Sequence, residues 1–322
     1  MKLCVLRWLF ILICATPRML VAQGNSSLIT VAQDGSGQYR SVQAALDAIP
    51  LGNKKRITIY IRNGIYYEKL HLDSSKNFVS IRGEDKFNTI LTYNDHTGKI
   101  SAQGDTINTY TSESILVRAD DFCANNITFQ NDAGFGAGQA VAVRVAGDRS
   151  SFINCRFIGN QDVLFPSKTG TRQYFERCYI EGTTDFIFGP STAWFEQCHI
   201  HSNKNSQITA ASTPETIAFG YVFNDCVLTA DTGLLKVSLG RPWRPYACVA
   251  YIHCYIGRHI MPQGWANWNN TEHYKTARYT EYKNYGPGAS TAERLSWTHQ
   301  LSDEAAKNYT IKKVLEGWDP KR

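Results

Sequence analysis

The stretch FERCYI, Phe175–Ile180, is followed by a near copy, FEQCHI, at Phe195–Ile200. Both are short runs of alternating large apolar residues with cysteine in the fourth place. Related stretches stand at Ala124–Phe129 (ANNITF), Phe152–Phe157 (FINCRF), Phe223–Leu228 (FNDCVL) and Tyr251–Ile256 (YIHCYI). Ile127 takes the cysteine's place in the first of them. From Ile127 through Cys155, Cys178, Cys198 and Cys226 to Cys254 the spacings are 28, 23, 20, 28 and 28 residues. Self-similarity at such a period is the mark of a solenoid. The repeats are β-rich, and the Gly/Asn/Asp-rich segments between them show no strong 3.6-residue pattern. Helices therefore do not fill the repeats, and the Leu/Asn signature of a leucine-rich horseshoe is missing. An all-β parallel β-helix fits, because each coil buries its apolar face only by stacking on its neighbours. The cysteines then form an inward ladder of small, buried, unoxidised thiols. Disulfides between adjacent coils are the competing reading.

The ends of such a solenoid need covering. SVQAALDAIP, Ser41–Pro50, predicts a short helix with Ser41 as N-cap and Pro50 as its stop. Its Val42, Ala45, Leu46 and Ile49 are placed to plug the first coil. From TEYKNYGPGAS, Thr280–Ser290, the repeat fades, and the chain is expected to fold back along the outside. At the other end, Lys2 and Arg7 precede the apolar run Trp8–Ala15, and Ala22 offers a cleavage point. Residues 1–22 read as a secretory signal peptide. Residues 23–322 read as a single exported domain, since no linker or charge run divides them. No second apolar run reaches membrane-spanning length. The formal net charge is +6, part of it carried by Lys2, Arg7 and Arg18 of the leader. A mild positive balance suits a polyanionic partner, whereas nucleic acid is disfavoured by the lack of a dense Lys/Arg stripe. The seven cysteines beyond the leader show no CxxC or Cys/His metal spacing.

Chemistry enters at GTTDFIFG, Gly182–Gly189, where Asp185 sits against three large apolar residues. A carboxylate is costly to bury without a partner. Asp185 lies seven residues past Cys178, and Asp162 lies seven past Cys155. Equal offsets on successive coils place the two carboxyls side by side, about 4.8 Å apart along the stack. Gln139, one coil earlier in GQAVAVR, is available to the same face. Two carboxyls this close split their pKa values, which separates a proton donor from a nucleophile or base. Two unrelated, solvated turn aspartates are the plainer alternative. SLGRPWRP, Ser238–Pro245, offers Arg241 as the partner that keeps one of them charged, on a turn stiffened by Pro242. Trp243 offers a face for a sugar ring. Taken alone, this segment also reads as a surface turn.

With these residues in place, the chain resembles the pectinesterases, the carbohydrate esterase family of pectin methylesterases. GIYYE (Gly64–Glu68), GQAVAVR, NQDVLF, DFIFG and LGRPW follow one another in that family's order, and EYKNYGPGA (Glu281–Ala289) is similar to its C-terminal motif. The resemblance covers nearly all the chain beyond the leader. It implies a right-handed parallel β-helix that hydrolyses C6 methyl esters of homogalacturonan. It places the nucleophile at Asp185, the acid/base at Asp162 and the oxyanion-stabilising amides at Gln139 and Gln161. Arg241 then holds the nucleophile ionised. Phe165, Phe188 and Trp243 are the implied aromatic subsite residues, and Thr109 in NTYTSES the implied substrate contact. No metal or organic cofactor is called for, and the expected protein is a secreted monomer acting on pectin. Two departures stand out. Val163 and Phe165 replace the family's frequent Thr and Tyr, and Phe165 keeps the ring but loses its hydroxyl. PSKTGT, Pro166–Thr171, lengthens a turn expected near the cleft. No long inhibitor-like pro-region is expected between Ala22 and the first strand.

Competing readings make other demands. A pectate lyase calls for a calcium-binding carboxylate cluster, and a galacturonase for spaced carboxylates without oxyanion amides. Neither uses Gln139 and Gln161. A serine esterase lacks its GxSxG. A non-catalytic glycan-binding β-helix would keep the aromatics but has no need of the Asp pair and Arg241.

Overall fold

A computed structural model describes residues 28–321. The expected signal peptide, residues 1–22, lies outside the described residues. Among the described residues the strands assemble into three sheets of eleven, eight and seven strands, paired in parallel. One coil runs through Ser150–Ile153, Arg156–Ile158 and Leu164–Pro166, and the next through Arg172–Glu176, Tyr179–Gly182 and Ile187–Gly189. Each coil thus gives one strand to each sheet in turn, and the molecule is a parallel β-helix. We call these the first, second and third sheets, in the order a coil visits them.

The repeat follows from how the chain turns between the first and second sheets. The residue before each ladder position has positive φ: Asn126 (55°), Asn154 (53°), Arg177 (50°), Gln197 (51°), Asp225 (50°) and His253 (54°). One left-handed residue bends the strand sharply, and Asn or Asp tolerates this best. At Arg177, Gln197 and His253 the stacked coils must offset the strain.

Inside the turn the side chains stack in files. The rings of Phe152, Phe175, Phe195, Phe223 and Tyr251 lie nearly parallel, with successive centroids 5.0, 4.7, 4.4 and 4.5 Å apart. Each such pair adds about 0.5–1.5 kcal/mol beyond area burial. Beside them run the cysteines. The thiols of Cys178, Cys198, Cys226 and Cys254 donate to the carbonyls of Phe152, Phe175, Phe195 and Phe223 on the preceding coil, at 3.3–3.5 Å. Every cysteine among the described residues is free, so the disulfide reading fails. Burial pushes the Cys155 and Cys226 thiols up, away from the reactive thiolate.

A helix runs from Val42 to Asp47, and the Ser41 hydroxyl accepts from the Ala44 amide at 3.2 Å. The Glu68 carboxylate accepts from the Val42 and Gln43 amides, each at 2.9 Å. The last residue of GIYYE thus neutralises the free amides of the helix start. Val42, Ala45, Leu46 and Ile49 join the main core.

The C-terminal expectation needs correcting. Arg278–Tyr282 does not leave the solenoid but pairs in parallel with Cys248–Ile252. Lys283 turns left-handed (φ 47°), and Asn284 takes the ladder place, its side chain accepting from the Cys254 amide at 2.9 Å. TEYKNY is therefore one more coil, with asparagine where cysteine was looked for. Only later does the chain fold back. The helix Ile311–Val314, with Leu315, packs on Tyr174, Trp194 and Val222, the outward residues of the first sheet.

Candidate active site

The site forms where coils pass from the second sheet to the third. Leu164 pairs with Ile187 in register, so Asp162 and Asp185, each two residues earlier, occupy the same place on adjacent coils. Both are left-handed, with φ of 66° and 49°. The residues that follow them, Val163–Leu164 and Phe186–Ile187, enter the core. A carboxylate beside phenylalanines is thus explained by local geometry: the left-handed turn separates an inward apolar pair from an acid kept out of it.

Asp185 is only 4% exposed, and its partner is Arg241. The guanidinium donates through Nε to Oδ1 at 3.0 Å and through Nη2 to Oδ2 at 2.6 Å. This bidentate fork fixes the carboxylate in direction as well as charge. Arg241 is itself fixed. Its amide donates to the Thr209 carbonyl at 2.9 Å, and the Trp243 amide donates to Ala211 at 3.0 Å. The Trp268 ring lies over the guanidinium at 4.2 Å. Pro242 is buried, so the segment is no loose surface turn. Asp162 is nearly as buried, yet its carboxyl makes no hydrogen bond to another described residue. Burial, then the charge of Asp185, pushes it well above the usual carboxylate value, and the more distant charge of Arg241 opposes this only in part. Burial also pushes Asp185 up, but the hydrogen bonds and charge of Arg241 act against it. Both carboxyls are thus raised, Asp162 by more, and Arg241 favours charge on Asp185 over Asp162.

Gln139 and Gln161 pair through their backbones on neighbouring coils, and the Ala140 amide donates to the Gln161 carbonyl at 3.0 Å. Both are half-buried, and neither side-chain amide is engaged by another described residue. They form a row beside the carboxyls with donors to spare. Thr109 opens a short 3-10 turn, Thr109–Thr111. Its hydroxyl is 3.3 Å from that of Thr97, whose amide donates to the Gln139 carbonyl at 2.9 Å. Thr109 therefore reaches the site through Thr97.

The aromatic residues divide into a floor and a wall. Phe165 and Phe188 stack at 4.2 Å and 14°, but they are 1% and 3% exposed. Their faces are covered, and they support the site rather than present an open platform. Trp243, 6.0 Å from Phe188, and Trp268 are half-buried and close one side. Tyr110, 5.2 Å from Phe165 and largely exposed, stands on the other. Sequence reasoning missed Tyr110 and Trp268. Each is a single aromatic outside the repeats, and only the stacked coils bring it to the site. The PSKTGT turn lies at the far end of Leu164–Pro166 from Asp162, at the third-to-first corner, and so does not lengthen a loop at the carboxylates.

A family model described as Pectinesterase matches residues 28–318. Pectinesterase 31 of Arabidopsis thaliana is 42% identical over 290 residues, spanning 88% of this chain and 91% of that protein. Putative pectinesterase 11 of the same plant is 37% identical, spanning 91% of this chain and 80% of that one. Among solved structures, a carrot pectin methylesterase superposes with a TM-score of 0.80 at 31% identity, covering 90% of this chain and 93% of that one. A pectin methylesterase from Erwinia chrysanthemi superposes with a TM-score of 0.80 at 27% identity, covering 91% of this chain and 98% of that one.

Proposed function

Because the chain belongs to the pectinesterase family, and is thus a carboxylic ester hydrolase acting on pectin, we propose that it cleaves the C6 methyl esters of homogalacturonan with Asp185 as nucleophile and Asp162 as acid/base. The observation that carries this reading is the asymmetry of the pair. Asp185 is held by two charge-assisted bonds from Arg241, while Asp162 is buried without one.

The chemistry then runs in two halves. An Asp185 oxygen attacks the ester carbonyl carbon, and the negative charge moves to the carbonyl oxygen. The free amides of Gln139 and Gln161 donate to that oxygen, and such preorganised donors are worth about 3–4 kcal/mol each. As the tetrahedral centre collapses, the C–OCH3 bond breaks and Asp162 gives its proton to the departing methoxy oxygen. Methanol leaves, and Asp185 is joined to the sugar acid as an anhydride. Asp162, now charged, takes a proton from water, whose oxygen attacks the anhydride. The acid product departs, with Asp185 ionised and Asp162 protonated again. Every proton is accounted for within the pair. Trp243, Trp268 and Tyr110 border the sugar, over the floor of Phe165 and Phe188, and Thr109 contacts it beside Gln139.

We further read residues 23–322 as one exported, monomeric domain that works on wall pectin. The deciding experiment is methanol release from highly methylated pectin by the chain and by its Asp185→Ala variant. Release that is lost in a folded variant supports the assignment. A folded wild type that frees no methanol refutes it.

A further inference from the structure

The corner between the first and second sheets carries a second feature, well away from the carboxyl row. A groove of about 380 Å³ opens there, lined by Lys86, Phe87, Arg156, Arg177, Tyr179 and His199 among others. Arg156, Tyr179 and His199 are in register on three successive coils, and Phe87 precedes the strand Thr89–Tyr93 two coils beyond Arg156. Four strand spacings make the groove roughly 19 Å long. It runs along the solenoid axis and suits a line of linked groups better than a single one.

Two of its cations, Lys86 and Arg156, are held in place without an acid partner. The Arg156 guanidinium lies 5.1 Å from the Phe87 ring and 5.7 Å from the Tyr179 ring, and donates to the Thr128 hydroxyl at 3.3 Å. Lys86 Nζ donates to the Asn154 side chain at 2.6 Å and sits 5.3 Å from the Phe87 ring. Neither Lys86 nor Arg156 has a carboxylate partner among the described residues. The nearby acids are engaged by other residues of the groove, not by Lys86 or Arg156. Glu176 pairs with Arg177 at 3.3 Å, and Glu181 accepts from the Tyr179 hydroxyl at 2.6 Å. Phe87 is 58% exposed, which is unusual for a phenylalanine with no core role. Cations held by rings are already ordered, so they bind an anion at a lower entropic cost. The rings add apolar surface beside the cations. Alternating cations and rings match a polymer that alternates carboxylates with the apolar faces of sugar rings.

We propose that this groove binds a de-esterified, polyanionic run of galacturonate, as a site separate from the catalytic row. The identity of that polymer rests on the functional reading above, since each ester cleaved leaves one more carboxylate on the chain. Arg156 and Asp162 are six residues apart on one coil, hence at most about 20 Å. A long pectin strand can touch both places, and a short one cannot.

The test uses the folded chain and a Lys86→Ala/Arg156→Ala variant. Titration calorimetry with a fully de-esterified galacturonate oligomer should give two sites per wild-type chain and one in the variant. Methanol release from a short esterified oligomer should be unchanged. The KM for long, partly esterified pectin should rise several-fold at constant kcat. Unchanged stoichiometry in the variant overturns the proposal. So does dextran sulfate binding the groove as tightly as galacturonate, because that would be plain polyanion attraction. If the double variant does not fold, Arg177→Glu, on an exposed side chain, carries the same readouts. A wild type that binds at two sites but frees no methanol strikes the functional reading and leaves the groove standing.

Discussion

Replacing Arg241 with alanine tests whether Asp185 is ionised in the folded protein. The side chains of Arg241 and Asp185 are 18% and 6% exposed, so little water is available to replace the guanidinium. Two hydrogen bonds are lost, at 3.0 and 2.6 Å. A hydrogen bond to a charged group contributes about 1.5–3 kcal/mol. Breaking a buried pair from one side costs about 3–5 kcal/mol, because the remaining charge stays buried and unpaired. We expect Arg241→Ala to lose an amount in that range at pH 7, read from urea midpoints at unchanged slope.

Adding Asp185→Asn removes the stranded charge. The double variant should then recover about 2–3 kcal/mol, the upper part of the coupling seen between residues in contact. The pH dependence has a definite sign. Burial already raises the folded-state value of Asp185 above the usual 3.8 against the pull of Arg241, and without Arg241 it rises further. A raised value means the folded state holds its proton more tightly, so stability falls as pH rises through the interval above 3.8. Arg241→Ala should therefore regain stability on acidification, and the double variant should not. A loss under 1 kcal/mol at pH 7, with no response to acid, would show that Asp185 is already neutral and cannot be the nucleophile in the form proposed.

Two other expectations bear on the same row. Gln161→Ala should lower kcat by roughly 10²–10³ with KM and the thermal midpoint nearly unchanged, since a lost oxyanion donor acts in the transition state; steady-state methanol release checks this, and an equal rise in KM would assign Gln161 to substrate binding. Asp162→Asn should abolish turnover yet raise the melting temperature at neutral pH, because burial holds its carboxyl well above the usual value and the folded state bears that cost as pH rises above 3.8. The gain should vanish below about pH 4, and a variant less stable than wild type at pH 7 would contradict the burial argument.

The sequence made the coil legible because its turn is local. A left-handed residue followed by an inward Cys, or by Ile127 in the first copy, recurs within each repeat, and it needs no distant partner to be recognised. The same locality found the two aspartates, since an equal offset from the ladder is a statement about register. It failed where a coil changes its composition. Asn284 does the work of a ladder residue by hydrogen-bonding the coil before it, at 2.9 Å to Cys254 and 3.1 Å to Tyr251. A search for an apolar residue at that place passes over it. Tyr110 and Trp268 were hidden for another reason. Trp268 reaches Arg241 and Tyr110 reaches Phe165 from segments outside the repeats, and no spacing records such a meeting. Phe165 and Phe188 misled in the opposite direction. Their motifs mark the site, but the neighbouring rings cover them, so motif membership did not predict exposure.

The backbone at the aspartates constrains how their roles can be separated. Asp162 and Asp185 are left-handed, and so is the residue at every first-to-second corner from Asn126 to His253. At those corners Asn, Arg, Gln, Asp and His all serve, so the fold does not demand an acid there. It demands only a residue that accepts the conformation. Asn and Asp accept it more readily than alanine, because their short polar side chains bond locally. An alanine at Asp185 therefore removes the nucleophile and strains the turn together, whereas asparagine removes the charge alone. If Asp185→Asn and Asp185→Ala lose turnover equally while only the alanine variant loses stability, the carboxylate is needed for chemistry and the backbone for position. If the two variants lose stability equally, the left-handed turn is held by its neighbours, and the aspartate contributes nothing to it.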